Sequence, residues 1–198
     1  MYIKILFDRL ISFLGLLFLF PLLLIVAVLI KIFMPNGPII FKQKRIGQFG
    51  NIFIMYKFRT MNVNHSGSSV SIKGESRITP LGEKLRKYKI DELPGLWNIL
   101  KGDMSFVGPR PDVPGFADKL IGNDRKILEM KPGLTGPASL KYANEEEILA
   151  SQEDPIKYNA EVIWPDKIRT NLKYYEKRNF LLDLKIMVYT LVKKEIDF

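Results

Sequence analysis

The sequence predicts an α/β (α+β) fold: a small, irregular antiparallel sheet, short helices lying partly on a membrane surface, and an N-terminal re-entrant membrane helix. Three observations lead there. An uncharged apolar run of about 21 residues, long enough to enter a bilayer, stretches from Leu10 to Ile30. Two strand-like segments, Ile39 to Gln43 and Ile52 to Arg59, flank the turn Gly47-Gln48-Phe49-Gly50-Asn51. Beyond them the helical periods are short and no strand–helix–strand alternation recurs, so parallel crossovers are not expected.

The length of 198 residues suits one domain with an appended membrane element, divided at residues 1–34 and 35–198. The net charge of +9 points to anionic partners. Beside an apolar N-terminal run, lipid headgroups and a nucleotide fit that charge better than nucleic acid, for which no motif is present. Without cysteine there is neither a disulfide framework nor a thiolate metal site. The single histidine, His65, stands in a Ser/Gly-rich segment and reads as a loop residue.

The apolar run exceeds the core of a signal peptide, and Phe33-Met34-Pro35-Asn36 offers no small-residue cleavage site. Pro21 lies at its middle, where it removes a backbone donor and bends a helix. Lys4 and Arg9 precede the run; Lys31, Lys42, Lys44 and Arg45 follow it. Basic flanks on both sides suit a helix that dips in, breaks near Pro21 and returns to the cytoplasmic side. A kinked full span is the other reading, and both stay open.

In chain order, the apolar Ile52-Phe53-Ile54-Met55 run reads as a buried strand, with Lys57 and Arg59 at its end. Asn62 to Arg77 is a polar loop, either functional or a passive insertion. Thr79-Pro80 forms an N-cap and first helical position, with Leu81, Leu85 and Tyr88 on one face. Then comes DELPGLWNILKGDMSFVGPRP, Asp91 to Pro111. Asp91 reads as a helix N-cap, Leu93, Leu96, Trp97 and Leu100 as the apolar face, and Gly102 as the stop. A helix start would keep both carboxylates ionised and would welcome a phosphate. Met104 to Val107 reads as a short strand. Gly108-Pro109-Arg110-Pro111 reads as a rigid turn presenting a guanidinium suited to phosphate. Phe116 to Met130 makes two short helices broken at Gly122-Asn123, and Asn144 caps a helix through Glu145, Glu146 and Glu147. Pro165 to Lys177 is helical. Phe180 to Val192 is apolar nearly all round, interrupted by Asp183, Lys185 and Thr190, and is therefore buried or interfacial; Lys193-Lys194 after it suit anionic lipid.

The stretch from Asp91 to Pro111 resembles the signature of the bacterial sugar transferases, the polyprenyl-phosphate phosphoglycosyl transferases, and the chain looks like a small monotopic member. Matching positions run from about Phe41 to Lys185. They include Phe41-x-Gln43-x-Arg45-x-Gly47-x-x-Gly50, Lys57-Phe58-Arg59-Thr60-Met61 and Leu182-Asp183-Leu184-Lys185. The resemblance implies the re-entrant helix, with residues 35–198 forming a catalytic domain on the cytoplasmic face of the bacterial inner membrane. It implies transfer of a sugar 1-phosphate from a UDP-sugar to polyprenyl (undecaprenyl) phosphate, with Asp91 as nucleophile and Glu92 binding Mg2+. Arg86, Pro109, Arg110, Lys57 and Arg59 would form the phosphate-binding set. Anionic lipids of the inner leaflet are further implied partners, and no oligomeric state is specified. Three departures stand out. Phe20, not serine, precedes Pro21; Lys131 opens KPGLTG where the family has arginine; and Pro137 to Lys141 replaces a Gln-containing stretch, which bears on substrate choice. The alternative function is a non-enzymatic, membrane-anchored basic module. It leaves the Asp-Glu pair beside an arginine turn unexplained.

Overall fold

The structure, a computed structural model, describes residues 2–63, 77–192 and Lys194. Two compact units result. Of the described residues, one holds 2–44, 54–63 and 77–102, the other 45–53, 103–192 and Lys194. His65 and most of the polar loop fall outside the described residues. The ends of that loop are joined, because Met61 and Ile78 form an antiparallel bridge and the Asn62 N–H donates to the Arg77 carbonyl at 3.0 Å.

In the first unit, helix α1 covers Tyr2–Phe33 and runs without interruption through Pro21. Its 32 residues span ~48 Å at ~1.5 Å per residue. That is long and apolar enough to cross a membrane. Val26 and Ile30 of α1 pack with Met34, Phe58 and Leu85 into one core. Asp8 and Ser12 are also buried; Ser12 donates to the Arg9 carbonyl at 3.0 Å and Asp8 lies 3.8 Å from Lys4. Phe13, Leu17, Phe18, Phe20 and Ile25 are exposed, so the packed stripe is narrow and the apolar remainder faces outward.

Strands β1 (Ile40–Ile46) and β2 (Ile52–Phe58) form the expected antiparallel pair. Phe49 takes a left-handed conformation, φ 59°, in the turn between them. Helix α2 (Pro80–Lys87) starts as predicted: the Thr79 hydroxyl oxygen accepts from the Gly82 N–H at 3.0 Å. Gly82 is required there, since a Cβ would lie 2.0 Å from the Thr60 carbonyl oxygen.

The helix expected to begin at Asp91 is corrected. Ile90–Gly95 forms a 3-10 turn, and only then does α3 (Leu96–Lys101) follow, closing at Gly102 with φ 94°. Lys89, with φ 57°, reverses the chain straight after α2, so Asp91 and Glu92 fall inside the first 3-10 turn. Asp91 is therefore not an N-cap. The buried face shifts as well, to Leu96, Asn98 and Ile99, while Trp97 is half exposed.

The second unit contains β3 (Ser105–Val107) and β4 (Gly133–Thr135), which pair in parallel with Ser105 opposite Gly133 and Val107 opposite Thr135. This short parallel pair is absent from the sequence expectation. Its close approach needs glycine: a Cβ on Gly108 would sit 2.2 Å from the Lys131 carbonyl oxygen, and one on Gly133 2.2 Å from the Gly108 nitrogen. Two 3-10 segments, Ala117–Lys119 and Gly122–Glu129, precede β4. Helices α4 (Pro137–Lys141), α5 (Glu145–Ala150), α6 (Pro155–Tyr158), α7 (Trp164–Lys177) and α8 (Phe180–Val192) follow. Asn144 precedes α5 without a side-chain cap bond. Ile46, Val107, Ile127, Met130, Ile168, Tyr174 and Ile186 build the core of this unit. Asp183, the polar break in apolar α8, is buried and accepts from the Tyr174 hydroxyl.

Candidate active site

In the first unit, the 3-10 turn after Lys89 carries Asp91 and Glu92 inward until both are buried. Strand β2 brings Lys57 to the same place, its Nζ 3.5 Å from Glu92 Oε1 with little of either side chain exposed. Asp91 Oδ1 is buried and has no hydrogen-bond partner among the described residues. Burial pushes the Asp91 carboxyl up from the usual carboxylate range, and the neighbouring Glu92 adds to it; Lys57, Arg86 and Lys89 pull the other way. Burial thus works against the ionised form that the helix start was expected to favour, and it outweighs the pull of the three cations.

Lys57, Arg86, Asp91 and Glu92 are thus brought together within one unit, and Lys89 joins them through its charge on Asp91. Arg59 is placed differently. Its guanidinium donates to the main-chain carbonyls of Met34 and Asn36, just beyond α1, and the residue is buried. That geometry ties the end of β2 to the chain just past α1. Asn98 carried no expected role. It is fully buried, donates through Nδ2 to the Ile54 carbonyl at 2.7 Å, and accepts from the Tyr56 N–H at 3.1 Å. The available signal was a lone amide between Trp97 and Ile99 in an otherwise apolar helix.

An apolar groove of about 520 Å³ lies in the same unit. Leu16, Phe20 and Leu23 of α1 line one part, and Tyr56, Pro94 and Trp97 another. Two of its walls therefore come from the segment that carries Asp91 and its neighbouring strand.

Among the described residues no cluster of three or more His, Cys, Asp or Glu side chains is assembled. Magnesium does not require one. It takes one or two carboxylates and fills its remaining positions with water and substrate phosphate oxygens. The unpartnered Asp91 oxygen beside Glu92 offers hard oxygen donors of that kind, so the residues fit the ion.

Pro109 and Arg110 belong to the second unit. Their segment is pinned by main-chain bonds. Gly133 N–H donates to the Pro109 carbonyl at 2.8 Å, and Ile46 N–H to the Asp112 carbonyl at 2.8 Å. Arg45 Nη1 adds a bond to the Pro111 carbonyl at 2.9 Å. Where a rigid turn was expected, Gly108 forms a bend and Pro109 to Pro111 continue without regular structure, with Arg110 half-buried.

Comparison with known proteins gives a family match over residues 1–195, to the bacterial sugar transferases. A UDP-glucose:undecaprenyl-phosphate glucose-1-phosphate transferase of Xanthomonas campestris pv. campestris is 35% identical over 197 residues, covering 96% of this chain and 38% of that protein. A UDP-N-acetylgalactosamine-undecaprenyl-phosphate N-acetylgalactosaminephosphotransferase of Aeromonas hydrophila is 35% identical over 176 residues, covering 85% and 37%. The exopolysaccharide production protein PSS of Rhizobium leguminosarum bv. phaseoli is 34% identical over 197 residues, covering 95% and 92%. The chain thus spans less than two fifths of the first two relatives and nearly all of the third.

Asp112 gives a pH prediction. Burial pushes its carboxyl up to about 6, against the pull of Lys167, Arg45 and Arg110 and with a further push from Glu145. A carboxyl raised in the folded state favours folding while protonated. That contribution is complete below the ordinary value of 3.8 and is lost as pH rises through about 6. Asp112→Asn should therefore melt several degrees above the wild type at about pH 8, and the gap should close at about pH 4. Thermal melts at both pH values check this.

Proposed function

The chain belongs to the bacterial sugar transferase family, and from that premise we propose that it moves a sugar 1-phosphate from a UDP-sugar to a membrane polyprenyl phosphate, releasing UMP. Relatives named for UDP-sugars and undecaprenyl phosphate support this choice of donor and acceptor. A family of transferases leaves no place for the non-enzymatic anchor module. The carrying observation is Asp91 Oδ1: a buried carboxylate oxygen with no hydrogen-bond donor among the described residues, beside Lys57, Arg86 and Lys89.

In the first step an Asp91 oxygen attacks the β-phosphorus of the donor. The bond from that phosphorus to the bridging oxygen breaks, and UMP departs with the electron pair. A phosphosugar–aspartyl acyl phosphate remains. In the second step an oxygen of the polyprenyl phosphate attacks the same phosphorus, the bond from that phosphorus to the Asp91 oxygen breaks, and Asp91 returns as a carboxylate. No net proton is needed in either exchange. Covalent catalysis splits one displacement into two. Lys57 and Arg86 stabilise charge building on the phosphoryl oxygens, and burial strengthens that interaction. Glu92, with Asp91 next to it, would hold a magnesium ion, which when bound neutralises diphosphate charge. Arg110 is the motif's further phosphate candidate on sequence grounds. The groove lined by Phe20, Tyr56 and Trp97 has the apolar character an isoprenoid tail requires.

The exposed apolar surface of α1 supports membrane insertion. Its basic flanks support placing the N-terminus and the transferase unit on one, cytoplasmic, side, with Lys42 and Lys44 reaching anionic headgroups. On α8, Leu181, Val188 and Leu191 are exposed at a helical spacing that suits an interfacial helix.

Mixing the protein with a UDP-sugar alone should add the mass of one sugar phosphate to the intact chain and release UMP, with both signals absent in Asp91→Asn. Kinetics that require both substrates together, with no adduct trapped under any condition, would make Asp91 a general base. Glu92→Gln should lose at least about 100-fold in UMP release, and excess chelator should do the same to the wild type. Full activity in chelator would remove magnesium from the reaction. Topology is tested with single cysteines, Lys4→Cys and Lys126→Cys, since the chain has none of its own. An impermeant thiol reagent should label neither in intact bacteria and both after permeabilisation. Labelling of Lys4→Cys alone in intact cells would establish a full span.

A further inference from the structure

Asn98 has no charge and no part in the displacement chemistry, yet it is completely buried in the first unit. Its neighbours on α3, Leu96 and Ile99, are buried apolar residues. A leucine, of the same branched shape, would occupy an apolar position of this kind without two polar groups to satisfy. Both halves of the amide are used, and both on one strand: Nδ2 donates to the Ile54 carbonyl at 2.7 Å and Oδ1 accepts from the Tyr56 N–H at 3.1 Å. The amide thus engages β2 at residues i and i+2, as a neighbouring strand would.

The next residue of β2 is Lys57, whose Nζ lies 3.5 Å from Glu92 Oε1. Glu92 and Asn98 stand on consecutive short elements, the 3-10 turn and α3. One short segment therefore grips one strand twice, by main chain at Ile54 and Tyr56 and by charge at Lys57. The second grip depends on the first. Successive strand side chains point to opposite faces, so a one-residue slip would carry Lys57 away from the carboxylates. An ion pair alone does not set such a register, because a lysine ammonium on a flexible stem tolerates many geometries.

We infer that Asn98 is a positioning residue for the transfer: by bonding the β2 main chain at Ile54 and Tyr56 it holds the Lys57 ammonium at the Asp91–Glu92 segment. This rests on the transferase reading, but its geometry is testable without donor or acceptor. The informative variant is Asn98→Leu, which keeps the branched shape and removes both bonds; Asn98→Ala, which removes them without adding bulk, is its companion.

The first measurement uses the purified full chain in detergent with no substrate. An amine-reactive label is followed by mass spectrometry at each lysine. In the wild type Lys57 should react slowly. In Asn98→Leu it should react about tenfold faster, approaching its rate in Glu92→Gln, while Lys84 and Lys87 keep their wild-type rates. An unchanged Lys57 rate would overturn the inference. So would a uniform rise at every lysine, which would make Asn98 a residue of the fold alone.

The second measurement is UMP release from UDP-sugar. Asn98→Leu should lower kcat about tenfold or more and change KM less than about threefold, because the lysine acts on the developing charge. In a Lys57→Met background the same substitution should cost less than about twofold. Full loss in that background, or full activity of Asn98→Leu alone, would sink the positioning role. If the wild type releases UMP from no UDP-sugar, the transferase reading fails, and the lysine labels still decide whether Asn98 places Lys57.

Discussion

Two neighbouring carboxylates, Asp91 and Glu92, are taken out of water side by side, and the first unit is arranged around that constraint. Desolvating an ion costs several kcal/mol even after relaxation, and a second anion next to it adds repulsion. The unit answers with cations from three directions: Lys57 from β2, Arg86 from the end of α2, and Lys89 at the left-handed reversal between them. The compensation is incomplete. Burial still dominates at Asp91, and one of its oxygens keeps no hydrogen-bond partner among the described residues. A carboxylate held this way is poorly solvated, a local cost that the surrounding packing must offset.

That packing ties the apolar helix to the carboxylates through few intermediates. Arg59 holds the chain just past α1 by the carbonyls of Met34 and Asn36, and it follows β2 directly. Lys57 stands two residues earlier, at the carboxylates. Thr79 secures the start of α2 against Thr60 by a main-chain bond at 3.0 Å and a hydroxyl bond at 3.2 Å. The apolar groove runs along α1 and ends on Pro94 and Trp97, within reach of the same segment. An exposed apolar helix, an apolar groove and a buried acidic pair thus share one compact unit, a suitable arrangement for an enzyme whose proposed acceptor is half lipid and half phosphate.

The second unit shows how backbone proximity can demand glycine as strongly as a left-handed dihedral does. Gly108, Gly133 and Gly136 meet where β3 and β4 pair, and a Cβ on any of them would fall 2.2 Å from a main-chain atom. Those contacts, together with Arg45 and Ile46, hold the main chain on either side of Arg110.

Much of this protein is legible in one dimension. The apolar run, the β1–β2 hairpin, the Thr79 cap, the Gly102 stop and the long DELPGLWNILKGDMSFVGPRP motif depend on local periodicity and turn chemistry, which neighbouring residues express directly. The same motif was enough to point to the family. What the tertiary structure decided are the features that depend on long-range neighbours. Asp91 stands inside a 3-10 turn because Lys89 reverses the chain. Its carboxyl is raised because burial, invisible in sequence, outweighs three cations. Arg59 bonds the chain just past α1 because residues some twenty positions away arrive beside it. Asn98 matters because a strand more than forty residues earlier presents a carbonyl and an amide to it. Sequence pattern determines which groups the chain possesses and how each segment curls. Desolvation and partner choice are properties of the packed interior, and they exist only once distant segments have met.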